Sequence, residues 1–278
     1  MSVGQTALGA NSPITVGGIL RLLEERYPAA LAADWDAVGL VCGDTDATVT
    51  RVLFAVDPVA EVIAEAIAVG AELLVTHHPL FLDPVHGVPT SDPKGRLVHQ
   101  LIRAGVGHFV AHTNADAAPI GVSDALAQTL GLADVRALTA PGEVGRVGRL
   151  VEPISLAEFA AKVAAALPAT SAGIRVAGDR NRVISRVAVC GGSGRSLLPA
   201  VNAQSVDVFV TADLSHHRAL DQLEAAGPAL IDVSHWASEW PWLQTAAGLL
   251  RSDLGVSTVE VLVSHRCTDP WTWQGSTN

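Results

Sequence analysis

Apolar and polar positions along this chain follow two periods in turn. Residues 51–56 (RVLFAV), 72–76 (ELLVT) and 107–111 (GHFVA) are short apolar runs, the pattern of strands buried on both faces. Between them, 59–69 (VAEVIAEAIAV) spaces its apolar residues for one helix face and stops at Gly70, and 95–104 reads as a helix stopping at Gly105. A second series follows: a strand at 185–190 (SRVAVC), a glycine-rich turn at Gly191-Gly192-Ser193-Gly194, and a helix from about 195 to 203. It continues with a strand at 206–211 (VDVFVT), a helix at 215–226 and a strand at 229–233 (ALIDV). Outside the two series, 15–27 predicts an opening helix capped by Thr15, and 155–168 predicts a helix with Ser155 and Glu158 at capping-box spacing. Residues 258–263 (TVEVLV) predict a last strand, and the glycine-bearing stretch around 134–150 predicts a connection.

The two series are copies of one plan. Arg51-Val52 matches Arg186-Val187 and Val75-Thr76 matches Val210-Thr211, both at an offset of 135. Strand–helix–strand–helix–strand, twice, predicts an α/β fold of two related domains, each a mainly parallel sheet flanked by helices. The expected division is 13–134 and 135–239, with 240–278 packing back onto the first domain and 1–12 a loose tail. Composition narrows the class. With 28 acidic against 18 basic residues the net charge is -10, which excludes a general nucleic-acid binder, and 49% hydrophobic content excludes a disordered chain. No uncharged stretch of about 20 strongly apolar residues predicts a membrane span. Three scattered cysteines, Cys42, Cys190 and Cys267, form no CxxC pair, which suits a reducing cytoplasm.

Ten histidines in a chain with only 17% charged residues are the unusual feature. His77-His78 ends the strand at 72–76, and ligands of open parallel sheets bind beyond the carboxyl ends of strands. His112 and Asp116 follow the strand at 107–111, and His235 and Glu239, at the same four-residue spacing, follow the strand at 229–233. Each motif alone also suits a capped strand or a surface ion pair. Together, three strand ends in two copies of one plan offer imidazoles and carboxylates fit for a pair of divalent ions. Two such ions about 3.5–4 Å apart repel, so a carboxylate shared between them is needed. A ligand set without cysteine favours Zn, Fe, Mn or Co over a structural thiolate zinc. His216-His217 falls in the region of the second copy that corresponds to His77-His78, though shifted onto the start of the next helix, and reads as a support behind the ligands, a proton relay, a substrate contact or a helix surface; His86, His99, His108 and His265 read as structural or solvent-facing. Trp35 and Asp36 read as cleft lining or as a packed loop. Gly192 and Ser193, in a glycine turn before a helix, read as an anion or substrate contact.

Six segments resemble, in order, those of the YbgI-type dinuclear-metal-centre family, also known as GTP cyclohydrolase I type 2 homologues. They are WDAVGLVCGD (35–44), ELLVTHHPLF (72–81), AHTNAD (111–116), VAVCGGSG (187–194), VFVTADLSHH (208–217) and LIDVSHWASE (230–239). Ala212, Ser234 and Trp236 depart from the family's usual glycine, glycine and tyrosine. The resemblance implies a pair of divalent metal ions in a cleft between two α/β domains, held by His77, His78, Asp116, His235 and Glu239. Asp116 and Glu239 are then the bridging candidates, with His112 beside the pair as a support behind the ligands or a proton carrier. It further implies a ring-shaped homohexamer with inward-facing sites. The expected function is a metal-dependent hydrolase of a nucleotide or phosphoester, in which His112, His216 or His217 moves the proton and Trp35, Asp36, Gly192 and Ser193 meet a small-molecule substrate. The alternative is a metal-handling, metal-delivery or scaffold protein. The tryptophans at 236, 240, 242, 271 and 273 suit oligomer contacts or a cleft wall.

Overall fold

The structure, a computed structural model, describes residues 13–140 and 144–275; the tail expected over 1–12 lies outside the described residues. From the amino end come α1 (Val16–Arg26), β1 (Gly39–Cys42), β2 (Arg51–Ala55), α2 (Ala60–Ala68), β3 (Leu73–Thr76), α3 (Pro93–Ala104), β4 (Gly107–Val110), α4 (Thr113–Ala117) and α5 (Val122–Thr129). Then come β5 (Ala133–Ala137), β6 (Arg146–Ser155), α6 (Leu156–Ala166), β7 (Arg175–Ala177), β8 (Val183–Ser193), α7 (Leu198–Ala203), β9 (Val208–Ala212), α8 (His216–Glu224), β10 (Ala229–Val233), α9 (His235–Leu254) and β11 (Glu260–Val263).

Local chemistry sets the helix ends. Thr15 Oγ1 accepts from the Gly18 amide, and Ser155 and Glu158 close the capping box expected for α6. Asp92 caps α3, Pro93 fits its first turn, and Gly105 ends it at φ 69°, a left-handed conformation that costs glycine little.

The strands form two sheets, ordered β1-β4-β3-β2-β11 and β5-β6-β8-β9-β10-β7. The repeat seen in the sequence is therefore a repeat of topology. In both sheets three consecutive parallel strands (β2, β3, β4 and β8, β9, β10) lie side by side, and a short antiparallel strand, β1 or β7, flanks the last of them. The first sheet is parallel apart from β1. The second is mixed, because β5, β6 and β7 all pair antiparallel. The stretch expected as a connection at 134–150 overlaps β5 and β6, which pair with each other. Glycine frequency suggested a linker there, but Gly148 instead lets the strands approach: a Cβ on it would stand 3.0 Å from the Ala133 carbonyl oxygen.

Register levels the strand ends. Ala55 pairs with Thr76, Thr76 with Val110, and Val233 with Ala212, so side chains just after these positions emerge at one height in each sheet. One continuous apolar cluster joins the sheets. It takes Phe54, Val75 and Phe109 from the first sheet, Val187, Val210 and Ile231 from the second, and Trp242, Leu243, Ala246 and Leu250 from α9. Helix α9 is buried on several faces because it packs on α5, β8, β2 and β11. Strand β11 then adds in parallel beside β2. No helix among the described residues is long and apolar enough to cross a membrane.

His108 is one buried histidine that the fold uses structurally. It is fully buried on β4, with Nε2 2.8 Å from Thr76 Oγ1. That hydroxyl donates its proton to the His78 carbonyl, so it accepts from His108 Nε2–H, and burial pushes the imidazole down to about 4. Its stabilising contribution is complete above pH 6.5 and is lost as pH falls toward 4, because only the unfolded chain takes up the proton in that window. His108→Gln keeps a donor for Thr76 but removes this loss. In urea unfolding of metal-free protein, moving from pH 7 to pH 5 should cost the wild type about 2 kcal/mol more than the variant.

Candidate metal centre

Five strand ends build the site. His77 and His78 follow β3, and His112 follows β4 as the residue before α4, which carries Asp116. His235 opens α9 directly after β10, and Glu239 lies one turn on, on the same helix face. Asp57 follows β2 and Asp213 follows β9. These sites are far apart in sequence, yet they converge on the Glu239 carboxylate, which is 3% exposed. Its Oε1 lies 2.9 Å from His235 Nε2 and 3.4 Å from His77 Nε2, and its Oε2 lies 3.1 Å from His78 Nε2. Asp116 Oδ1 stands 3.9 Å from His77 Nε2. The His112 ring packs 5.2 Å from that of His77 and 5.5 Å from that of His78.

The orientation of the rings follows a single rule. In all four histidines Nδ1 faces an oxygen of the surrounding protein and Nε2 is left for the centre. His77 Nδ1 lies 2.9 Å from the Ala111 carbonyl, His78 Nδ1 2.7 Å from Asp57, His112 Nδ1 2.8 Å from Asp36, and His235 Nδ1 2.6 Å from Asp213. A proton held on Nδ1 leaves a lone pair on Nε2, which is how metal-binding imidazoles are oriented. Behind His77 stands the buried Trp242 ring, 5.3 Å away, whose Nε1–H donates to the Tyr27 hydroxyl.

Two polar atoms at the centre, His77 Nε2 and Glu239 Oε2, are buried with no hydrogen-bond partner among the described residues; His78 is close to Oε2 but out of hydrogen-bond alignment. Buried polar atoms left in this way are costly unless something binds them. Ligand atoms within 4.8 Å of one another group into His77, His78 and His112, and into His78, His235 and Glu239, with His78 common to both. These nitrogen and oxygen donors fit a divalent transition metal ion.

The protonation pattern is that of an anion in a ring of imidazoles. Burial opposes the Glu239 charge, but His78, His77 and His235 outweigh it and hold the carboxyl well below its usual range. Burial opposes the charge on His235 too, but Glu239 and Asp213 outweigh it and raise the imidazole to about 9. Asp116 has the opposite balance: burial, reinforced by the Glu239 charge, pushes it up to about 6. Burial and the neighbouring His77 hold His112 below its ordinary value.

The structure brings His77, His78, His112, Asp116, His235 and Glu239 together. His216 and His217 stand apart: they are exposed on the first turn of α8, their rings 5.2 Å from each other, with no contact to the cluster among the described residues. At the offset of 135, Asp213 and not a histidine occupies the position of His78, so the second copy supplies a carboxylate support at that strand end. Asp36 is not free to line a substrate cleft. Its side chain is fully buried, and its two oxygens hold His112 Nδ1 and the Thr113 amide and hydroxyl. Trp35 is exposed at the rim, 6.1 Å from the His112 ring.

Gly191, Gly192 and Ser193 are also not a turn before a helix. They continue β8, and the amides of Gly191, Gly192 and Gly194 donate to Ser123, Ser238 and Thr211, which removes the expected anion nest. The glycine at 192 has a different cause. Its φ is +64°, and a Cβ there would lie 2.3 Å from Glu239 Oε1 and 3.0 Å from His235 Nε2. The sequence reading did not foresee Asp57, Asp213 and the Ala111 carbonyl as supports. An aspartate directly after an apolar strand, as in Asp57-Pro58 and Ala212-Asp213, was the available signal.

Two repeated α/β halves with a buried histidine–carboxylate cluster at their strand ends define the class: α/β proteins with a nitrogen and oxygen site able to hold metal. Within it, the chain belongs to the Duf34/NIF3 (NGG1p interacting factor 3) family, whose model matches residues 14–270. A Streptomyces coelicolor protein named GTP cyclohydrolase 1 type 2 homolog is 49% identical, over 91% of this chain and 92% of its own. The crystal structure of Staphylococcus aureus SA1388 superposes with a TM-score of 0.87 at 28% identity, over 95% of this chain and all of the other. The protein ybgI shares the fold, with a TM-score of 0.79 at 21% identity, over 92% of this chain and 99% of its own.

The contact at Gly192 is directly testable. Gly192→Ala should lower metal affinity at least tenfold, read by chelator competition, with an unchanged far-ultraviolet circular dichroism spectrum. Ser193→Ala, at an exposed position on the same strand, should bind metal as the wild type does. Asp57→Asn and Asp213→Asn should each weaken binding by roughly 10- to 100-fold, the usual effect of disturbing a ligand's outer partner.

Proposed function

We propose that the cluster holds two divalent ions and that the protein is a metal-dependent hydrolase of a nucleotide or phosphoester. The observation that carries this reading is the Glu239 carboxylate, whose oxygens stand within 3.4 Å of three imidazole nitrogens that have no other role in the fold. Glu239, with Asp116 beside His77, would supply the carboxylate charge that holds such ions among the imidazoles. When bound, such a pair lowers the pKa of a water toward neutrality and polarises a substrate oxygen.

The protein's own groups supply the rest. Asp36 fixes the His112 ring through Nδ1, and burial keeps that ring neutral near pH 7, so Nε2 can take a proton from the nucleophile and return it to the leaving group. A cavity of about 760 Å³ reaches His78 and His235. A storage or scaffold role calls for a closed centre, so this opening favours the hydrolase reading. The name of the Streptomyces relative suggests a guanine nucleotide among the substrates to be screened.

Elemental analysis should give two ions per chain for the wild type and at most one for Glu239→Gln. A screen of nucleotides and phosphoesters with the native metal should find turnover that His112→Ala lowers by about 100-fold, the low end of general acid–base contributions. Full metal content in Glu239→Gln, or wild-type turnover in His112→Ala, overturns these assignments.

A further inference from the structure

The cavity beside the centre has a lining of two kinds. One part is His78 and His235 of the centre, both partly exposed. The other part includes Trp271 and Trp273, 71% and 75% exposed. Neither indole stacks on another aromatic side chain among the described residues, yet the segment that carries them is tied down. Thr268 Oγ1 donates to Asp57, the residue that also holds His78, and Ser234 Oγ donates to Asp269. The Trp271 amide donates to the other Asp269 oxygen over 2.8 Å. Farther along, Ser171 Oγ donates to the Thr272 carbonyl over 2.7 Å, and Gln274 Nε2 donates to the Ala172 carbonyl over 2.9 Å. The backbone that carries two large exposed rings is thus held in place, an arrangement that suits stacking on a ligand.

The polar groups of the cavity narrow the ligand further. Its four aspartates are all engaged: Asp57 and Asp213 by histidines, Asp269 by Ser234, and Asp232 by Arg175 and the Leu214 amide. The group left to act is Arg175, whose Nε and Nη2 hold Asp232 while Nη1 has no partner among the described residues. A ligand matched to this cavity has a planar ring for the indoles, an acceptor on that ring for Arg175, and an anionic end for the metal centre.

We propose that the carboxyl-terminal segment 268–274 is the base-binding wall of the cleft, with Trp271 and Trp273 stacking on the heteroaromatic ring of a nucleotide and Arg175 donating to its edge. This rests on the hydrolase reading for the anionic end alone. Stacking makes a nucleotide bind where its sugar phosphate does not, and loss of one stacking indole costs about 5- to 100-fold in affinity.

The test uses the full chain with its metal and reads binding without turnover, by tryptophan quenching and calorimetry with guanosine monophosphate and ribose 5-phosphate. Guanosine monophosphate should bind at least tenfold tighter than ribose 5-phosphate. Trp271→Ala and Trp273→Ala should each weaken guanosine monophosphate by about 5- to 100-fold while metal content and ribose 5-phosphate binding hold, and Trp→Phe at either position should restore most of the loss. Equal binding of the two probes by the wild type overturns the proposal, as does undiminished nucleotide binding by the double alanine variant. A smaller assembly on sizing, with nucleotide affinity unchanged, reassigns the indoles to contacts between copies. Tryptophan-dependent binding without turnover of any nucleotide or phosphoester removes the hydrolase reading and leaves this one standing. Turnover of phosphoesters with equal binding of both probes does the reverse.

Discussion

The architecture depends on one buried anion. Glu239 sits one turn into α9 at 3% exposure, where an unpaired carboxylate would cost several kcal/mol. Imidazole nitrogens from β3 and from the start of α9 itself surround it, and each is oriented by an oxygen on its far side. None of these residues could neutralise the charge alone. The compensation exists only when two sheets present their strand ends at one place, so the in-register pairing of β2, β3 and β4, and of β8, β9 and β10, is a condition of the site.

The two halves contribute unequally. The first supplies His77, His78, His112 and Asp116 from its strand ends; the second supplies the acidic pole and the ring beside it from α9. That helix is also the core element that packs against both sheets. The residue that sets the electrostatics thus lies on the element that sets the distance between the halves. A shift of α9 would move Glu239 and break the shared apolar cluster together. Gly192 on β8 lets this helix come close enough, since a Cβ there would meet Glu239 itself, while one at Gly191 would meet Val122 of α5.

Much of this was legible in the sequence. The duplicated strand–helix pattern, the capping residues of α1 and α6, and the cluster formed from His77-His78, His112, Asp116, His235 and Glu239 all follow from spacing and strand-end placement. What escaped was chemistry that depends on partners far away in the chain. Asp57 and Asp213 look like ordinary strand-end aspartates until His78 and His235 are seen beside them. Asp36 looks like a cleft acid, although burial makes it a brace for His112. The β5–β6 pairing was hidden because glycine signals a turn as readily as a close strand contact, and the Gly191–Gly192 pair misled for the same reason. His216 and His217 show the limit of reading by analogy between copies, since the matching strand end holds a carboxylate support instead.

The order of strands in the first sheet has a consequence for biosynthesis. Strand β11 pairs with β2, yet Glu260 and its partner Arg51 are 209 residues apart in the chain. At about 5–20 residues per second, roughly 10–40 s pass on the ribosome between the making of one and of the other. Through that interval the nascent first half has an open sheet edge at β2 and two imidazoles, His77 and His78, waiting for their anion. A cell producing this protein must keep a half-built, sticky chain from pairing with its neighbours until the segment that closes the sheet has emerged.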